Sequence, residues 1–272
     1  MLRHILVAAA AMALAAPALA GPTVGVNAAI RNKVMTGANP SVLRPAVLKA
    51  RVGLGDQIVT APASMLQILL LDRSNFTVGA NARVTIDKFV YDPNRSASAV
   101  GANVAKGAFR FMSGKAVHRM PGQTSVRTPV ASIGVRGTVF EGAVGPDGVR
   151  IAAGEGYAGG DPNTATIVVL RGPAATPTQP GGAIDVTANG KTVALDRPGM
   201  ALFIPGPGKD ALGPFELSDK GLMQLHDLLR TTPDTRGKQV GVDAEGNPIV
   251  DRTLEDLPAI RGQIPIDNVN GQ

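Results

Sequence analysis

The stretch Thr128-Pro129-Val130-Ala131-Ser132-Ile133-Gly134-Val135-Arg136-Gly137-Thr138-Val139-Phe140-Glu141-Gly142 decides the reading of the fold. Successive side chains of an extended chain point to opposite faces. Ala131, Ile133, Val135, Gly137 and Val139 therefore share one face, and Ser132, Gly134, Arg136, Thr138 and Phe140 the other. One face is apolar and the other holds a single charge, the pattern of a half-buried strand. Gly134 and Gly137 remove packing surface, which predicts a bulge, a bend or a close backbone approach at both. Arg136 lies between them, and its planar fork of donors suits neighbouring carbonyls or a carboxylate. No cluster of partner charges accompanies it in the sequence, so its reading is structural, a tie between neighbouring turns.

Short strand candidates extend this pattern in both directions. Upstream, residues 46–52, 57–60, 65–71, 76–78 and 82–91 are apolar or alternating runs separated by Gly, Asn and Asp. The continuous run from Met65 to Leu71 predicts a strand covered on both faces. In 82–91, Val84 and Ile86 share one parity while Phe89 and Tyr91 share the other, so a bulge is expected near Asp87 and Lys88. Residues 92–106, rich in Asn, Ser, Ala and Gly, read as an exposed loop, and 107–112 as a short strand with Phe109 and Phe111 on one face. Segments 115–119 and 125–127 lead into the central stretch. Downstream, 148–152, 165–170, 183–187 and 192–195 continue the series, with Asn189-Gly190 as a hairpin turn, and Pro205-Gly206-Pro207-Gly208 ends it. Recurrent short strands between tight turns predict an all-β domain, a β-solenoid-like stack, with a β-sandwich as the alternative.

The run Phe109-Arg110-Phe111-Met112-Ser113-Gly114-Lys115, together with the ordered residues 128–138, resembles the signature of the FecR domain family, whose members show a TPVAxIGxRGT core. The resemblance implies that Thr128, Pro129, Gly134, Arg136, Gly137 and Thr138 are family-motif positions, and we read their role as structural. Asp72-Arg73-Ser74 stands where the family has a DGS-like turn, and residues 78–84 where it has a second turn. Arg73 in place of Gly implies a turn that avoids positive φ there. Residues 195–203 resemble the closing LxxGQxxxV segment, with Met200 where Gln is common, so the resemblance spans about 46–204. Iron-signalling relatives join this domain through one membrane helix to a cytoplasmic segment that controls a sigma factor. This chain departs from them by reading as an exported protein without a membrane helix.

Composition supports a packed β domain. The chain has 272 residues, 44% hydrophobic but only 3% aromatic and without Trp, so its core must come from Val, Ile, Leu and Ala. Arg3, an apolar run over 5–14 and the small-x-small triplet Ala18-Leu19-Ala20 form a secretory signal peptide with cleavage after Ala20. No later stretch reaches the ~20 apolar residues of a membrane span. The expected address is periplasmic or secreted. Expected boundaries are a signal peptide at 1–20, a loose leader at 21–41, a FecR-like β domain at 42–206, and a short helix with a mostly flexible tail at 207–272. Within that last part, Ser218 caps a helix over 219–229, with Leu222, Leu225 and Leu229 on one face.

Several chemistries are missing from the sequence. The chain has no Cys, which removes disulfides and thiol ligands, and beyond the signal peptide only His118 and His226, far apart, so no metal site is predicted. Asp56, Asp72, Asp87, Asp92, Glu141, Asp147, Glu155 and Asp161 read as residues of turns or strand ends. The glycine clusters lack the strand-to-helix context of a phosphate loop, and no calcium loop is present. No enzyme and no cofactor are expected. Without the signal peptide, 26 basic and 21 acidic residues leave a net charge of +5, suited to anionic envelope material, while no basic cluster with interleaved aromatics points to nucleic acid. The reading is a non-enzymatic periplasmic module that binds an envelope protein or acts as a regulatory scaffold. The alternative is a glycan- or peptidoglycan-binding module, for which only Tyr91, Tyr157 and seven Phe could serve as platforms.

Overall fold

A computed structural model describes residues 21–92, 94, 97–114, 123–173, 181–230, 241–242 and 248–249. The expected signal peptide, the strand candidate 115–119 with His118, and most of the tail lie outside these residues. In chain order the main elements are β1 (Thr23–Arg31), β2 (Val34–Gly37), β3 (Arg44–Pro45), β4 (Arg51–Gly53), β5 (Gln57–Thr60), β6 (Met65–Leu70), β7 (Asn75–Val78), β8 (Arg83–Asp92), β9 (Ala97–Met112) and β10 (Ser125–Arg127). They continue with β11 (Ser132–Arg136), β12 (Val139–Val144), α1 (Pro146–Gly154), β13 (Thr166–Gly172), β14 (Ala183–Ala188), β15 (Lys191–Leu195), β16 (Met200–Ile204), β17 (Leu212–Glu216) and α2 (Asp219–Leu229).

The strands form two layers. One runs β4-β1-β6-β7-β9-β12-β13-β16-β17 and is called sheet A. The other, sheet B, runs β3-β2-β5-β8-β9-β10-β11-β14-β15. All these pairings are antiparallel except β9 with β10, and β9 belongs to both layers, so hydrogen bonds join all 17 strands into one network. The path is coil-like, passing back and forth between layers that pack face to face. The first half of β9 pairs with β8, and from Gly107 onward it pairs with β12. Gly107 has φ +84, the left-handed region that glycine enters without steric cost, and there the strand turns from one layer into the other.

One core fills the space between the layers. From sheet A it takes Leu66, Ile68, Leu70, Phe76, Val78, Phe109, Phe111, Phe140, Val168 and Leu170, and from sheet B residues including Ile58, Val84, Ile86, Val104, Ile133, Val135, Ile184 and Val186. Four phenylalanines from β7, β9 and β12 touch in a chain at its centre, with centroid separations of 6.0–6.5 Å. A second core covers part of the opposite face of sheet A. There Ala143, Ile167, Val169, Ala201 and Phe203 meet Ile151 and Ala152 of α1 and Leu225 of α2. Ser218 caps α2 by accepting from the Gly221 N–H at 3.2 Å, as expected, and its hydroxyl also donates to Glu155 Oε1 beyond α1 at 2.5 Å.

Several expectations change. The leader 21–41 is built into the body, because Val24, Ile30 and Val34 are core residues of β1 and β2. Residues 97–106 are strand rather than loop; Val100, Ala102 and Val104 alternate inward while small residues between them hide the period. Residues 148–152 are helical, since Pro146 and Asp147 start α1 and Ile151 and Ala152 pack on sheet A. The strand series also continues past 205–208 into β17. Residues 65–71 are covered on both faces only at their start, where Met65 and Leu66 are buried; further on, Leu69 and Leu71 are exposed at 44% and 50%. The bulge expected near Asp87 and Lys88 is present as a register shift between Ile86 and Lys88.

Arg73 overturns the turn chemistry inferred from sequence, for it has φ +65. The turn is held from below. Asp72 accepts from the Ser74 N–H and hydroxyl, each at 2.9 Å, and the Ser74 hydroxyl accepts from the Gly114 N–H at 2.9 Å. A left-handed non-glycine residue costs roughly 1–2 kcal/mol. Arg73→Gly is therefore expected to raise stability by about 0.5–1 kcal/mol, the gain being reduced by the greater freedom of glycine in the unfolded chain. Urea unfolding checks this through a higher midpoint at unchanged slope.

Candidate functional site

The central stretch 128–142 is a hairpin joined to a crossing between layers. Thr128 and Pro129 form the turn between β10 and β11; the Thr128 N–H donates to the Ala131 carbonyl at 2.8 Å and its hydroxyl accepts from the Ala131 N–H at 3.1 Å. Ile133 and Val135 face the core from sheet B as expected. Beyond them the expected faces invert, with Phe140 inside and Val139 half-buried, because the chain leaves sheet B at Gly137 and enters sheet A at Val139. Gly137 makes that crossing at φ +60, and the buried Thr138 hydroxyl donates to the Gly172 carbonyl. Gly134 makes no bend; it is an ordinary β11 residue opposite Asp185.

Arg136 ties β11 to β14 through Asp185, at 3.0 Å between Nη2 and Oδ1, with both side chains about two-fifths exposed. Such an exposed pair contributes roughly 0.2–1 kcal/mol. Arg136→Ala is expected to cost less than about 1 kcal/mol, with a still smaller loss in 0.5 M NaCl than in dilute buffer. Thermal melts at the two salt concentrations measure it.

A different arginine pair stands out at the end of the same stretch. Glu141, read in the sequence as a strand-end carboxylate, lies within β12 and its side chain is 4% exposed. Arg110 of β9, its register partner, sits with Nε 2.8 Å from Glu141 Oε1. From the other side, Arg171 of β13 places Nε 3.6 Å from Oε2. One carboxylate thus holds two guanidinium groups by their inner nitrogens. Their terminal nitrogens make no hydrogen bond among the described residues, and the arginine side chains are 26% and 37% exposed. Removing the carboxylate's hydration is costly unless charge-assisted bonds or ion pairs replace it; Arg110 supplies the bond and Arg171 a longer ion pair.

This group lies on the face of sheet A turned away from the central core, beyond the area covered by the helices. The strand register sets Leu69, Asn75, Met112 and Val139 in one row across β6, β7, β9 and β12, next to the row holding Arg110 and Glu141. Met112 is 47% exposed, and Leu71 and Arg73 project from the turn at the edge of the same area. The result is an apolar strip beside two fixed cations. Phe109-Arg110-Phe111 and Leu170-Arg171 each carried a charge between apolar residues, but only strand adjacency shows that the two charges share one carboxylate.

A cleft of about 210 Å³ is lined by Val59, Thr60, Asn81, Ala82, Arg83 and Lys106. Its Thr60 hydroxyl is committed, donating to the Gly79 carbonyl at 2.5 Å and accepting from the Ala82 N–H at 2.8 Å. Asp161 is held below the usual carboxylate range by the Asn163 N–H and the Thr164 side chain, and Asp210 by Lys191 and Asn189; both lie in loops, Asp161 half-buried and Asp210 exposed. Among the described residues no group of three or more His, Cys, Asp or Glu side chains is placed to hold a metal, and no helix is long and apolar enough to cross a membrane.

Residues 56–159 match the family model described as FecR protein. This part of the chain is therefore similar to a FecR domain. The match takes in β5 to β12 and α1, and thus the motif hairpin, Arg110 and Glu141; β1 to β4, β13 to β17 and α2 lie outside it. No protein of curated description matches the sequence. Two crystal structures, at 2.50 and 1.65 Å, each described provisionally as an anti-sigma factor from Parabacteroides distasonis, are similar to it at 14% and 13% identity, both with a TM-score of 0.38. The similar region covers 59% and 73% of this chain, and 60% and 86% of those chains.

Proposed function

We propose that this FecR-domain protein is a non-enzymatic module of the cell envelope, exported by residues 1–20, that works by binding another protein through the open face of sheet A. The observation that carries this reading is the Arg110–Glu141–Arg171 group beside Leu69 and Met112. Cations oriented by a buried anchor next to exposed apolar side chains are the chemistry of protein recognition, in which guanidinium forks pair with carboxylates and apolar anchors fill the remainder. The basic balance of the chain favours an acidic partner. Glycan recognition has less support, because Phe76, Phe109, Phe111, Phe140 and Phe203 are fully buried and cannot serve as sugar platforms.

Capture of partners from solubilised envelopes by the mature chain, run beside co-sedimentation with purified peptidoglycan, tests the proposal. Saturable capture of a protein, lost in 0.5 M NaCl and without sedimentation, supports it. Sedimentation with peptidoglycan and no captured protein overturns it.

A further inference from the structure

The chain itself contains a segment with the chemistry that the open face of sheet A demands. Residues 231–272 hold seven acids against four bases, a net charge of −3, whereas residues 1–230 hold 23 bases against 14 acids, +9. Charge is therefore segregated, with the excess of bases up to the end of α2 and the excess of acids in the C-terminal segment. Within the acidic part, Leu254-Glu255-Asp256-Leu257 sets two adjacent carboxylates between two leucines. The face opposes this with two guanidinium groups whose outer nitrogens are free among the described residues, and with exposed Leu69 and Met112.

We propose that Leu254–Leu257 docks on this face, with Glu255 and Asp256 pairing with Arg110 and Arg171, so that the chain's own acidic segment competes with the external partner. The inference rests on the reading of that face as the protein-binding surface and names how it is regulated. The linker is long enough for this. Gly241–Val242 pairs with Pro248–Ile249 between Arg230 and Leu254, and the fourteen residues outside that hairpin can extend to about 46 Å. A tethered ligand of this kind acts at an effective concentration on the order of millimolar, enough to populate a contact too weak to detect between separate molecules. Arg110 is held to Glu141 by Nε and Arg171 stands 3.6 Å from the same carboxylate, which leaves the terminal nitrogens of both available for a second carboxylate.

The mature full-length chain has no Cys, so spin labels can be placed at Met223→Cys, on the exposed side of α2, and Ala259→Cys, just beyond the docking segment. Pulsed electron–electron distance measurement should give one narrow population for the parent. It should turn broad in 0.5 M NaCl, in Glu255→Gln/Asp256→Asn and in Arg110→Gln/Arg171→Gln. A broad distribution in the parent overturns the docking, as does a narrow one unchanged by Glu255→Gln/Asp256→Asn. That tail variant alters no residue of the packed body, so it decides the question even where the double arginine variant fails to fold. Envelope capture then separates the two proposals. Several-fold stronger capture by Glu255→Gln/Asp256→Asn supports competition, and equal capture by parent and variant overturns it. A narrow distance population with no captured protein at all keeps the docking and removes the partner.

Discussion

Gly107→Ala is expected to lower stability by more than about 3 kcal/mol, enough to take the melting temperature down by about 10 °C or to leave the chain insoluble. Two effects add at this residue. Its φ of +84 is strained for any side chain, and a Cβ there would stand 2.3 Å from Ala82 Cα and 2.5 Å from the Ala82 nitrogen. Those atoms are backbone and cannot swing aside. They also belong to the stretch where Gly79 N–H donates to the Ala108 carbonyl at 2.8 Å and Ala108 N–H to the Ala80 carbonyl at 3.2 Å, so a shift breaks the contacts that hold β9 at its passage between layers. Gly154→Ala is the control: no atom lies within 4 Å of its added Cβ, its φ is not positive, and it is expected to be neutral or to gain up to ~1 kcal/mol from helix propensity. Thermal melts of the two variants side by side check the argument. A Gly107→Ala protein melting within a degree of the parent would mean that the passage of β9 is not fixed at this glycine.

The same residue marks how far sequence reasoning reaches. Alternation found β8, β11, β14 and β15 because each places Val, Ile or Leu at every second position, β13 was legible as a continuous apolar run, and Asn189-Gly190 announced its own hairpin through the positive φ of both residues. It failed in the first half of β9, where Ala99, Gly101 and Ala105 stand at the positions between the core residues and leave Asn103 as a lone polar signal. The α1 segment failed for a different reason: Gly148-Val149-Arg150-Ile151 has no helical preference of its own, and tertiary burial of Ile151 and Ala152 against sheet A decides it. Layer changes are harder still. Gly137 was legible as a bend, but a bend within one sheet and a passage between two look alike in sequence, which is why Val139 and Phe140 were read on the wrong faces. The candidate site suffered most. Arg110, Glu141 and Arg171 lie 30 or more residues apart pairwise, and each looks like an ordinary surface charge until β9, β12 and β13 are set side by side.

Glu141→Gln is expected to cost about 2–3 kcal/mol, a fall of roughly 4–12 °C in melting temperature. Removing one partner of a fully buried ion pair costs about 3–5 kcal/mol, because the other charge is left unpaired. Here the arginines are 26% and 37% exposed and can regain part of their hydration, which places the loss toward the lower end. The glutamine retains a carbonyl oxygen to accept from Arg110 Nε, so the loss isolates the charge rather than the shape. Two readouts separate support of the fold from orientation of the arginines. If the carboxylate serves stability alone, Glu141→Gln melts lower while partner capture by the folded protein, measured well below its melting temperature, stays at the parental level. If it orients the guanidinium groups for recognition, capture falls several-fold at a temperature where the fold is intact, and Arg110→Lys, which keeps the charge but loses the fork, falls with it. The geometry favours the second outcome: Glu141 accepts from Arg110 at Nε and pairs with Arg171 at 3.6 Å, while the terminal nitrogens of both make no hydrogen bond among the described residues.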